Sequence, residues 1–126
     1  MKPHFSDLTP EQQATFGNGC GLQAKLLRVP QFIFKASCNQ HDFNYIRGGQ
    51  FKDFTKANMD FFKAMLIDAS NSDKPLFYSL MSYIYLLGVT VFGVFAFHWS
   101  NEYRTLEEIL AYDALKKQVN NFYEYQ

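Results

Sequence analysis

The sequence predicts an all-α fold, a small helical bundle, on three observations. Apolar side chains recur at spacings of three and four through residues 34–45 and again through 51–65. Helix-start signatures stand at Thr9, Pro75 and Thr105, and no alternating run of strand length or internal repeat interrupts them. At 126 residues the chain has the size of one domain, so a single domain over 1–126 is expected. Twelve Lys and Arg balance twelve Asp and Glu with no basic cluster, which lacks the electrostatic footprint of nucleic-acid binding. Fourteen Phe in an aromatic content of 18% favour either a dense core or a surface that meets lipid or another apolar partner.

The elements follow in order. In "LTPEQQATF" Thr9, Pro10 and Gln12 supply an N-cap, a first-turn proline and a capping-box partner, so a short helix begins there. "GNGCGLQ" has the glycine density of a tight loop from Gly17 to Gln23. After Pro30 the residues Phe34, Cys38, His41, Asp42 and Tyr45 fall within an arc of roughly 100° on one helical face. Gly48 and Gly49 end that helix, with a left-handed C-cap conformation expected. Phe51, Phe54, Asn58, Phe61 and Met65 make a second one-sided stripe. "DASNSDKP" is the next connection, and Pro75 opens the following helix.

Leu76 to Phe97 contains no charged residue and meets the length of a membrane span, about 20 apolar residues. Tyr78, Ser79, Ser82, Tyr83, Tyr85 and Thr90 dilute it, and the mean hydropathy of −0.23 weighs toward a soluble domain that does not span a membrane. Last, Thr105 and Glu108 form a capping box ahead of Leu106, Ile109, Leu110 and Leu115, an amphipathic helix.

Two striped helices joined at Gly48–Gly49 pack as an antiparallel pair with their apolar faces together, which brings Asn58 near His41. An imidazole held by one ring nitrogen presents the other as a general base toward water. Asp42 projects about 100° round the same helix, beside the glycine loop. Loop carbonyls plus one carboxylate suit a hard cation, calcium above all. Two cysteines permit one disulfide: Cys20 bonded to Cys38 would staple the loop beside Asp42, and unbonded they would be two buried thiols.

"NGCG" followed by "CNQHDFNY" resembles the calcium loop and C-x-x-H-D-x-x-Y helix of the phospholipase A2 superfamily, in the plainer form of bacterial and fungal secreted members. "GGQFKDFTKANMDFF" is similar to the bacterial pattern that follows, and the likeness covers Phe16 to Met65. The resemblance implies that His41 activates the hydrolytic water, Asp42 binds Ca2+ with loop carbonyls near Gly19 and Gly21, and Tyr45 braces the partner of His41. It implies a Cys20–Cys38 disulfide, hydrolysis of the sn-2 ester of a glycerophospholipid at a membrane or micelle surface, and no acyl-enzyme. It also implies that 76–97 forms an apolar central helix packed under the pair. Two positions depart from the pattern. Asn58 stands where the family has the aspartate partner of the histidine, and Gln23 where many members have a loop glycine.

The expected protein is therefore a calcium-dependent phospholipase A2-like hydrolase that is secreted or exported. "MKPHFSDLTPEQQ" has no secretory signal, which implies a signal already removed or another export route. Two other readings stand beside it: a catalytically impaired relative, with Asn58 as the cause, that binds membrane or a protein; and a single-span membrane protein in which the His-Asp pair is coincidental.

Overall fold

The computed structural model describes residues 2–17 and 33–124, with side chains as far as Val119. A 3-10 turn, Phe5–Asp7, precedes five helices: α1 Pro10–Thr15, α2 Lys35–Arg47, α3 Phe51–Ser70, α4 Pro75–Phe92 and α5 Leu106–Glu124. A second 3-10 turn, Gly93–Phe95, extends α4. Among the described residues the β content is one isolated parallel bridge, Gly49 to Trp99. The all-α class holds.

The helix starts are those the capping residues dictate. Gln12 N donates to Thr9 Oγ1 at 3.2 Å while Thr9 N donates to Gln12 Oε1 at 2.9 Å. The same reciprocal pair, both bonds at 3.2 Å, joins Thr105 and Glu108 ahead of α5. Each pair satisfies two N–H groups that a helix end leaves orphaned.

α2 is the centre of the bundle. Phe34 and Cys38 belong to a cluster with Phe61, Met65 and Tyr85. Phe43 and Ile46, on the other side, pack with Leu8, Phe16 and Ile109. Tyr45 joins Phe54, Ala57 and Phe97. The antiparallel pairing of α2 and α3 shows at both ends: Ser37 Oγ donates to Asp68 Oδ2 at 2.6 Å, and the rings of Tyr45 and Phe54 lie 5.9 Å apart.

On α3 the residues Phe54, Asn58, Phe61 and Met65 are buried as the stripe predicts, but Phe51 is 70% exposed. It sits in the first turn of α3, where α2 has already ended and no helix faces it. Gly48 caps α2 with φ 78° and Gly49 follows at φ 137°, so both glycines take the positive φ expected at this helix end, and at Gly48, with ψ −160°, the chain turns off the helical path. It does so to pair with the segment after α4: Gly49 N donates to His98 O at 3.0 Å, and Ser100 N to Gly49 O at 2.9 Å. A side chain at Gly48 would run into the His98 carbonyl.

α4 departs from the central position that the resemblance implied for it. It packs on one side only: Tyr78 and Tyr85 set their rings 5.9 and 5.6 Å from Phe34, and Ser82 is fully buried with its hydroxyl on the Tyr78 carbonyl. Leu76, Leu80, Leu87 and Val91, at helical spacing on the opposite side, are exposed, and Tyr83 beside them meets the Phe62 ring of α3 at 4.9 Å. Pro75–Phe95 is the one helix among the described residues long and apolar enough to cross a membrane. α5 buries Ile109 against the N-terminal cluster, whereas Leu115 is 59% exposed, because two residues beyond the inward-facing Asp113 turns it about 200° away.

Candidate active site

α2 and α3 place three polar groups in the apolar seam between them. His41 Nε2 lies 2.9 Å from Asn58 Oδ1, and Tyr45 Oη donates to the same oxygen at 2.6 Å. Asn58 and His41 are 3% and 7% exposed. An amide oxygen only accepts, with two lone pairs, so His41 must carry its proton on Nε2, which leaves the Nδ1 lone pair free. That is the arrangement a base with an orienting partner requires. Asp60, two residues on from Asn58, faces outward and pairs with Lys56 at 2.9 Å, so it takes no part.

The surroundings set the charges. Burial pulls the His41 imidazole down to about 4, against a smaller upward contribution from the Asn58 hydrogen bond. His41 is therefore neutral at pH 7. Burial pushes the Tyr45 phenol upward, the Asn58 bond opposes this, and Asp42 adds to it by repulsion, so Tyr45 is a donor and not a phenolate. Phe61 stacks on the imidazole at 4.4 Å, and Phe97 meets Tyr45 edge-on at 5.3 Å. Gly93 faces the Tyr45 hydroxyl so closely that an added Cβ would collide with it. One cavity of about 340 Å³ lies at Lys74–Phe77 and a second of about 180 Å³ beside Arg47; His41 lines neither.

The expected calcium ligands divide. Asp42 is half-buried on α2, whereas Gly19 and Gly21 lie outside the described residues, as do Cys20 and Gln23. Cys38 is buried and disulfide-bonded. At the near edge of the loop Gly17 has φ 75°, and a Cβ there would lie 2.7 Å from Asp42 Oδ2 and 3.4 Å from Asn39 Oδ1. Asn39 is 3% exposed and its Oδ1 has no hydrogen-bond partner. A buried amide oxygen without a donor is costly, and one facing the same glycine as a carboxylate suits a cation better than another acceptor. Among the described residues, no three His, Cys, Asp or Glu side chains converge on a metal position. The oxygen donors available are Asp42, Asn39 and backbone.

Sequence reasoning brought His41, Asn58 and Tyr45 together and missed Asn39, Phe61 as the stacking surface, and Gly93. Asn39 lies one residue from Cys38 and three before Asp42, and that helical spacing, which sets amide and carboxylate side by side, was an available signal. Compared with protein-family models, with curated proteins and with solved structures, the chain matches none.

Proposed function

We propose that the chain is a phospholipase A2-like esterase that hydrolyses the sn-2 ester of glycerophospholipids, with His41 as the base. The observation that carries this reading is the shared Asn58 oxygen, which holds His41 in the Nε2–H tautomer and leaves Nδ1 for a water proton. Water deprotonated at Nδ1 attacks the ester carbonyl, and Nδ1–H then returns the proton to the departing alkoxide, so no acyl-enzyme forms. Asp42, with Asn39 beside it and backbone carbonyls near Gly19 and Gly21, would hold Ca2+. The ion would supply positive charge for the phosphate and for the developing oxyanion. The Cys38 disulfide suits an exported protein.

α4 supports a lipid partner. It turns Tyr78, Ser82 and Tyr85 toward the protein and leaves Leu76, Leu80, Leu87 and Val91 outward, the reverse of a helix that faces water. Its neighbour α3 carries Lys52, Lys56, Asp60 and Lys63 along its length. A spanning α4 would draw those charges into hydrocarbon, so the helix lies on the bilayer and does not cross it.

The second reading, an impaired relative that binds membrane, is favoured by the same Asn58. Its amide carries no charge to stabilise the imidazolium, and a base near 4 is weak. Fatty-acid release from mixed micelles with and without a calcium chelator tests the enzyme reading. Chelator-sensitive release supports it, and release absent in both arms leaves the binding module.

A further inference from the structure

Arg47, the last residue of α2, is 4% exposed and takes part in none of the ion pairs among the described residues. Its Nη1 donates to the Pro3 carbonyl at 3.0 Å, the Tyr103 ring centroid lies 5.7 Å from its guanidinium carbon, and its Nε has no acceptor. The neighbouring carboxylate, Asp53, is already engaged. Its Oδ2 accepts from Gln50 N at 3.0 Å, and its Oδ1 accepts from Tyr103 Oη at 2.8 Å and Lys2 Nζ at 3.2 Å. A buried guanidinium with an orphaned N–H and no carboxylate of its own is strongly unfavourable unless an anion reaches it.

Arg47 lines a cavity of about 180 Å³ between the N-terminal segment, α2 and α3. Lys2 and Lys56 line it too, as do the amides of Gln40 and Asn44, with Asp60 the one carboxylate, tied to Lys56 at 2.9 Å. With Asp53, which pairs with Lys2, three cations stand against two carboxylates, a net charge of about +1 carried by Arg47. With Nη1 spent on Pro3, the guanidinium edge of Nε and Nη2 remains, a fork that matches two oxygens of a tetrahedral oxyanion.

We infer that this cavity binds a phosphate-class oxyanion, either free phosphate or the phosphomonoester end of a lipid headgroup, seated on the Nε edge of Arg47 between Lys2 and Lys56. Gln40, Asn44 and Arg47 lie on the face of α2 about 100° round from the His41 face, so the site is separate from the hydrolytic one and does not rest on that reading.

Isothermal titration of the whole chain with inorganic phosphate, at ionic strength held constant by chloride, is the test. Saturable 1:1 binding is expected, weakened at least ~10-fold by Arg47→Met and about 3-fold by Lys56→Ala. Lys56 has an exposed side chain, so its variant folds even if Arg47→Met does not. Glycerol 3-phosphate and phosphatidylcholine vesicles containing phosphatidic acid identify the source: Arg47-dependent binding of the vesicles assigns a headgroup, and of the soluble ions alone a free phosphate. Affinities unchanged in both variants, or no saturable binding of any of the three probes, overturn the inference.

Discussion

Phe61 lies parallel to His41, ring centroids 4.4 Å apart and planes 25° apart, while Tyr45 leans against the same imidazole at 4.1 Å. This aromatic slot takes His41 out of water, and burial is what lowers its affinity for a proton to a value of about 4. In the unfolded chain the same group titrates near 6.5. Between pH 6.5 and about 4 the unfolded chain therefore binds a proton that the folded chain refuses. The contribution to stability is present in full above pH 6.5 and is lost as pH falls through that window, up to about 3 kcal/mol. Urea unfolding at a series of pH values should show this slope, and His41→Asn should flatten it. An equal slope in the variant would mean that His41 is not the group responsible.

Restoring a carboxylate opposite the imidazole has a signed consequence. Asn58→Asp places a negative charge 2.9 Å from Nε2, which raises the His41 pKa and stabilises the imidazolium that forms as water is deprotonated. Fatty-acid release should rise if His41 is the base, by less than the roughly 10⁴-fold of the aspartate-to-amide exchange in an unrelated serine hydrolase, because that loss comes from a wrong tautomer and Asn58 already holds the Nε2–H form. NMR titration of the His41 ring reads the pKa separately. A raised pKa with no gain in release would remove His41 from the chemistry.

Much of this arrangement is legible in the sequence, for local reasons. The Thr9 and Thr105 caps need only residues three apart, and the His41–Asn58 encounter needs only two stripes and a Gly-Gly turn between them. What was not legible depends on contacts far along the chain. Phe51 continues the α3 stripe yet faces solvent, because periodicity reports a face and not whether anything lies opposite it. α4 reads as the most apolar segment, which suggests a core position or a membrane span; its burial is decided by Phe34 and α3, which cover the side carrying Tyr78, Met81, Ser82, Tyr85 and Val89. The cap at Gly48 is local and legible, whereas the pairing of Gly49 with His98 and Ser100, far along the chain, is not. The Arg47 and Asp53 surroundings draw on Lys2, Pro3 and Tyr103, which no local pattern connects.

Two glycines near α4 make an internal comparison. At Gly93 a Cβ would meet the Tyr45 hydroxyl and lie 3.0 Å from its Cζ, and Tyr45 cannot yield because Phe54, Phe97 and His41 pack around it. At Gly88 a Cβ would meet nothing within 4 Å. Gly93→Ala should cost about 1–3 kcal/mol by overpacking and loosen the Tyr45 bond to Asn58. Gly88→Ala should gain about 0.5–1 kcal/mol from helix propensity. Chemical denaturation of both variants checks the pair, and equal effects would contradict the close approach at Gly93.

The outward face of α4 should decide membrane affinity without touching the fold. Leu80 and Leu87 are 60% and 66% exposed and seven residues apart, so they lie on one stripe with Leu76 and Val91. Replacing both with Glu removes apolar area from that stripe and repels an anionic surface, while the inward face, Ser82 and Tyr85, is unaltered. Binding to phosphatidylcholine vesicles should fall at least ~10-fold, on the order of 1.5 kcal/mol or more for each leucine withdrawn from the acyl boundary. The melting temperature should change little, because substitutions at exposed positions usually stay within about 0.5 kcal/mol. Release of fatty acid from a monomeric short-chain ester should persist in the same variant, since Leu80 and Leu87 are exposed on the outward side of α4, whereas Tyr45 meets its inward side, Tyr45 Oη reaching the Val89 carbonyl at 3.3 Å. Vesicle binding equal to that of the parent chain would show that this stripe is not what meets lipid.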